Sequence, residues 1–372
     1  MTKLSGTILD GGSRPEGRGT GTVPRIRMNA GALLAAAVLV CGYGYAADKD
    51  KTPEYRFIGE IPVAGDTGWD YLSIDPAARR LYVTHGTHIV VIDLDAQKVV
   101  GDIGDTPRVH GFAIAPDLGR GFSSNGDESK VSIVDLKSLG TVSKVATQEN
   151  PDAIVYEPGH KEVYAFNGRG HSATVIGANS GAVVATIPLP GKPEFAAVDP
   201  AAGRVYVNVE DKNAILAIDT GSHKVVSTWP IAPGESASGM AFDAANHRLF
   251  VGCDNKLMLM VDSTNGKVVS SVPIGDGVDA NAFDPQLHLA FSSNGEGNLT
   301  IAHEDSPQKL SVVQTVQTQK SARTMALDPN THRVYVAAAT LVPAPKPAPG
   351  EPKHRATTVP GSFKILVYGP AQ

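Results

Sequence analysis

One short signal returns along most of this chain at intervals of 40 to 44 residues: an acidic residue, or its stand-in, followed in all but one case by proline, between two apolar runs. It falls at Asp75-Pro76, Ala115-Pro116, Glu157-Pro158, Asp199-Pro200, Asp243-Ala244, Asp284-Pro285 and Asp328-Pro329. Asp at the first position and Pro at the second pre-set a type I turn. After each marker comes a run such as RLYVTH, RGFSSN, EVYAFN, RVYVNV, RLFVGC, LAFSSN or RVYVAA. A third run follows, often ending on Asp (VVIDL, SIVDL, LAIDT, LMVDS), and then a fourth (KVVGDI, AVVATI, KVVSTW, KVVSSV). Runs rich in Val, Ile, Phe and Tyr, broken by Gly, Asn and Pro, are strand chemistry. Four short strands repeated every 40–45 residues or so are the mark of propeller blades.

Seven markers predict an all-β fold, a seven-bladed β-propeller of four-stranded antiparallel blades. The seventh unit has strands at TMALD, RVYVAA and FKILVY but no fourth strand. Residues 55–63 (YRFIGEIPV) read like the other fourth strands. The N-terminal strand is therefore expected to complete the last blade, which leaves no unpaired edge at the closure.

Residues 1–47 stand apart from the repeat. An apolar run of 11 residues at 30–40 follows Arg25 and Arg27 and precedes the small residues GYGYAA. It is too short for a membrane span and suits a signal-peptide core, with cleavage near Ala46 or Ala47 and initiation at Met1 or Met28. Residues 1–47 are thus expected to be an N-terminal extension and signal peptide, and 48–372 the propeller of a periplasmic or secreted protein. The chain carries −5 overall, and the first 47 residues hold five Lys/Arg against two Asp/Glu, so the remainder is near −8. That lacks the basic footprint of a nucleic-acid binder. The two cysteines are Cys41 and Cys253; with Cys41 in the leader, no intramolecular disulfide is expected. A Pro-rich insertion at 341–362 interrupts the seventh unit and favours extended polyproline II. It reads as a surface loop, or as a strap over the nearby face.

Strand direction sorts the loops. Loops after the second and fourth strands emerge on one face, here called the top, and the marker turns emerge underneath. First strands line the central channel, so their starting residues ring its upper mouth: Asp70, His110, Asp152, Glu194, Ser238, Asp279 and Arg323. The ends of the second strands add His85, Asn125, Asn167, Asn208, Asp254 and Asn294, and Trp69 offers a flat apolar wall. Such mouths are common ligand sites. Four carboxylates converging there repel one another unless paired, with His110 and Arg323 as the available partners. Below, His247, His288 and His332 share the turn slot of Arg79 and are expected to be solvated.

Three chemistries suit the ring. The first is binding of a small polar or cationic ligand, or of a protein or peptide end. The second is a divalent metal ion on His85 and His110 with Glu194, Asp70 or Asp152, which would allow a metal-dependent enzyme of lyase or hydrolase type. The third is acid–base catalysis by a His–carboxylate pair. No local metal-spacing, P-loop or dinucleotide motif is present.

The units RLYVTH, RVYVNV and RVYVAA, with their VVIDL and KVV tails, resemble the YVTN-repeat β-propellers, specifically the exported YncE-like group, over residues 55–368. The resemblance implies export and a binding or scaffold role. It also raises single-stranded DNA binding, suggested for that family, which the negative charge and scarcity of top-face aromatics oppose.

Overall fold

The computed structural model describes residues 52–65, 68–342 and 357–371. The expected signal peptide and the body of the Pro-rich insertion lie outside these residues. The described residues form seven four-stranded antiparallel sheets, spanning 69–103, 109–146, 151–188, 193–230, 237–273, 278–317 and 324–370. In the first six sheets the strands follow in chain order. In the seventh the order, from outside in, is Tyr55–Pro62, Lys364–Pro370, Arg333–Ala338, Thr324–Asp328, so the N-terminal strand forms the outer edge. Inner strands of successive blades touch, and that of blade seven touches that of blade one. The fold is a seven-bladed β-propeller.

The burial pattern follows from this arrangement. Second and third strands lie between neighbouring blades and are buried almost without break, as in Arg80–His85 and Ala214–Asp219. Outer strands alternate instead, as in Lys224–Pro230, because only one face packs. The third residue of every second strand is a large aromatic: Tyr82, Phe122, Tyr164, Tyr206, Phe250, Phe291 and Tyr335. None is more than 2% exposed. Truncating one such wedge to Ala should cost about 3–5 kcal/mol.

The marker acids act as more than turn formers. Asp75 accepts the amides of Ala77 and Ala78, and Asp284 those of Gln286 and Leu287. The slot four residues after the marker takes positive φ at Arg79, Gly119, Lys161, Gly203, His247, His288 and His332. That left-handed backbone throws the side chain towards the preceding blade. Arg79 thereby reaches Asp328 at 2.8 Å, and His332 reaches Asp284 at 2.6 Å. The expectation that His332 is merely solvated is corrected: it latches two blades, because Asp284 is wholly buried and needs a donor.

Candidate functional site

Each inner strand of blades one to six begins with a register break against its second strand. In blade one, Trp69 pairs with His85 and Leu72 with Val83, so Asp70 and Tyr71 together oppose Thr84. Two residues against one is a β-bulge, which bends the strand and re-aims its side chains. Asp70, His110, Asp152, Glu194, Ser238 and Asp279 all lie in these bulges. The freed bulge carbonyls are taken up by second-strand side chains. Thr84 donates to Tyr71, Ser124 to the carbonyl of Asp152 in the next blade, and Asn208 to that of Ser238.

The outcome is a cavity of about 1080 Å³ at the upper mouth, lined by Trp69, Asp70, His110, Asp152, Glu194, Asp279 and Arg323. Arg108 and Asp127 also line it, with an ion pair of 3.6 Å between them. Tyr71 and Phe195, from opposite sides of the ring, approach to 5.1 Å between ring centroids. Beneath them a smaller cavity of about 330 Å³ is lined mostly by apolar inner-strand residues, among them Ile74, Ile114 and Val155.

Charge in the upper cavity is only partly compensated. His110 Nδ1 donates to Asp70 Oδ2 at 2.6 Å and stands 3.6 Å from Asp152. Arg323 Nε is 3.0 Å from Asp279, and Lys192 Nζ is 3.0 Å from Glu194. Ser238 donates weakly to Asp279 at 3.3 Å. Burial pulls the His110 pKa down, but the Asp70 hydrogen bond and the charges of Asp152 and Asp70 outweigh it, so the imidazolium is favoured. Burial raises Asp152 to about 6, against the opposing pull of His110. Burial, then Asp152, raises Glu194 to about 7. Burial raises Asp279 to about 7 despite Arg323, with Asp70 and Glu194 adding to the rise. The Tyr71 hydroxyl is driven well above its usual range by burial and by the same four carboxylates.

Seven of the expected mouth residues do not line this cavity: His85, the asparagines at 125, 167, 208 and 294, and also Ser238 and Asp254. His85 is fully buried, its ring stacked on Phe363 at 4.4 Å and its Nδ1 3.4 Å from His88. Asn125 bonds Glu128 and Ser132, Asn167 bonds Ser172 and Thr174, and Asn294 bonds Asn298 and Thr300. These amides tie second strands to third strands, and none of them lines the cavity. Asn208 sits one residue before the strand end, pairing with Ile215, and a one-residue shift turns a side chain to the other face. The expected metal set of His85, His110 and Glu194 is therefore corrected. Among the described residues, the His/Cys/Asp/Glu donors that come within 4.8 Å of one another as a group of three are Asp70, His110 and Asp152. Sequence reasoning missed Lys192, Arg108, Tyr71 and Phe195. Tyr71 and Phe195 were detectable, since each directly follows a ring carboxylate on an inner strand.

No family model matches the chain. It is 26% identical over 148 residues to the uncharacterized protein YncE of Salmonella typhi, and equally to that of Salmonella typhimurium. Each match covers 38% of this chain and 42% of the relative, so it spans less than half of either. The chain also superposes on a chain from Kuenenia stuttgartiensis hydrazine synthase with a TM-score of 0.66 at 18% identity, covering 76% of this chain and 96% of that one. At that identity the likeness concerns the fold alone. Among the described residues no helix is long and apolar enough to cross a membrane. The repeat and the ring of blades make the chain a seven-bladed β-propeller, similar over part of its length to YncE.

Proposed function

We propose that this propeller is an exported binding protein whose upper cavity holds a small, polar, positively charged ligand. The observation that carries this reading is the convergence of Asp70, Asp152, Glu194 and Asp279 on one cavity, with three of the four raised to about 6 or 7. Buried carboxylates short of positive charge attract a cation, and the cavity volume suits a small organic molecule. Trp69 supplies a face for cation–π contact. The same field repels phosphate, which disfavours single-stranded DNA at this mouth.

The test is a thermal-shift series in EDTA-containing buffer with putrescine, choline and arginine amide beside glucose and citrate. A saturable rise in midpoint is expected for at least one cation and not for citrate. The rise should vanish in a Glu194→Gln/Asp279→Asn double variant. Equal responses to cations and anions, or none to any cation, would remove the basis for the reading. Export is tested separately, by the N-terminal residue of the protein recovered from its native host: loss of residues up to Ala46 or Ala47 is expected.

A further inference from the structure

We infer that the arc of the mouth formed by blades one to three is a divalent-metal site, with Asp70, His110 and Asp152 as its protein ligands. This deepens the cationic-ligand reading, on which it rests, by assigning one arc of the cavity to an inorganic ion. Each ligand comes from the bulge that opens its own inner strand, so three blades present one donor each to a common point. The donor atoms lie within 4.8 Å of one another. Around an ion bound at about 2.1 Å, tetrahedral donors stand roughly 3.4 Å apart. The 3.6 Å between His110 Nδ1 and Asp152 Oδ1 already matches, and the 2.6 Å to Asp70 has only to open slightly once the Nδ1 proton leaves.

Two observations besides the acidic cluster point to a ligand. Asp152 is only 9% exposed, yet its carboxylate accepts no hydrogen bond from any described residue, and its one close charge is His110. A buried carboxylate in that state is costly until something positive reaches it. The second is the far nitrogen of His110. Its Nε2 is buried and has no partner, and so is the Asn150 Oδ1. Both face the bare side of Gly126: a Cβ there would stand 2.8 Å from His110 Nε2 and 3.1 Å from Asn150 Oδ1. When Nδ1 binds a metal, the proton must sit on Nε2, and metal-bound histidines normally give that proton to a nearby oxygen. Asn150 Oδ1, beside the same glycine, would have to shift to accept it, since the two atoms are not hydrogen-bonded as they stand.

One imidazole and two carboxylates suit Zn²⁺ or Mn²⁺. Three protein ligands leave open positions, which face the cavity. The remaining arc of Glu194, Asp279 and Arg323 is left for an organic ligand.

The experiment is calorimetric titration of chelator-stripped protein with ZnCl₂ and with MnCl₂, no organic ligand present. One equivalent of at least one ion should bind. Asp152→Asn and His110→Gln should each weaken it by roughly 100-fold, while Asp135→Asn on the underside should not. Thermal midpoints of the stripped variants check folding, and Asp152→Asn serves if His110→Gln fails to fold. Absence of stoichiometric binding, or binding indifferent to Asp152→Asn, overturns the inference. An organic cation that still binds in EDTA when neither metal does overturns the metal site and leaves the broader reading standing. Metal binding without any organic cation supports the site and narrows that reading to the ion.

Discussion

The two ends of the channel use carboxylates in opposite ways. Underneath, acids terminate strands and accept backbone amides from the turn that follows. Asp135 takes the Ser138 and Lys137 amides, and Asp219 takes the hydroxyl and amide of Ser222; both are held below the usual carboxylate range by those bonds. At the top, Asp152, Glu194 and Asp279 are raised, with burial the leading cause each time. Residue type is shared; what differs is the supply of donors. Turn amides come with the chain at the underside. At the mouth the bulges aim side chains at one another across open space, and the cations at hand are His110, Arg323, Lys192 and Arg108, the last of these paired with Asp127. One end is built for stability, and the other carries negative charge that an added cation would relieve.

Between the two ends, the larger effect should come from breaking an underside latch at the closure of the ring. Asp328 is wholly buried and receives Arg79 of blade one, the hydroxyl of Thr331 and the amide of Asn330. Asp328→Ala leaves those donors unmet and should cost about 3 kcal/mol, measured by urea unfolding. A loss under about 1 kcal/mol would show that this bridge behaves like an exposed pair and that the underside is not the stable end. Next in size is Asn294, whose amide bonds Asn298 and Thr300 and whose Oδ1 accepts from Ser292. Asn294→Ala should destabilise by about 2 kcal/mol and leave cation binding at the mouth unchanged. A variant of full stability that no longer binds would return Asn294 to the ligand site.

The repeat made the architecture legible, because marker turns and apolar runs recur often enough to count blades and set strand direction. The ring residues could be read for the same reason: five positions before each marker is a fixed place on every inner strand. The bulges could not be seen, since a bulge depends on pairing with a partner strand and leaves no local composition. Their absence from the sequence reading misplaced His85 and the asparagines. These residues sit at strand ends, where either face is open to them until the register is known. The αL slot was visible as a repeated position (Arg79, His247, His288, His332), but not its reach to the neighbouring blade.

One underside pair departs from its neighbours and so tests the comparison by pH. Glu304 is 3% exposed and raised to about 7, by burial first and then by Asp243. An unfolded Glu titrates near 4.5, so between about 4.5 and 7 the native state holds the proton more tightly. Stability should therefore fall as pH rises through that window, at up to about 1.4 kcal/mol per pH unit. The raised acids of the mouth add to the same slope, and Glu304→Gln should make it shallower without removing it. If the slope is unchanged in Glu304→Gln, the pair is better solvated than its burial indicates.

The smallest effect is the most discriminating. Glu194→Gln removes one charge from the mouth, relieving its burial and its repulsion with Asp152, but gives up the pairing with Lys192. At pH 8, where the carboxylate is charged, the first two terms should win and stabilise the empty protein. Below about pH 4, where the group is neutral in the native and unfolded states alike, the variant should match the parent. A protein that gains stability while losing cation binding would show that this carboxylate is kept at a cost to the fold. If Glu194→Gln instead destabilises at pH 8, the Lys192 pair outweighs the repulsion, and the two ends of the channel differ less than their geometry suggests.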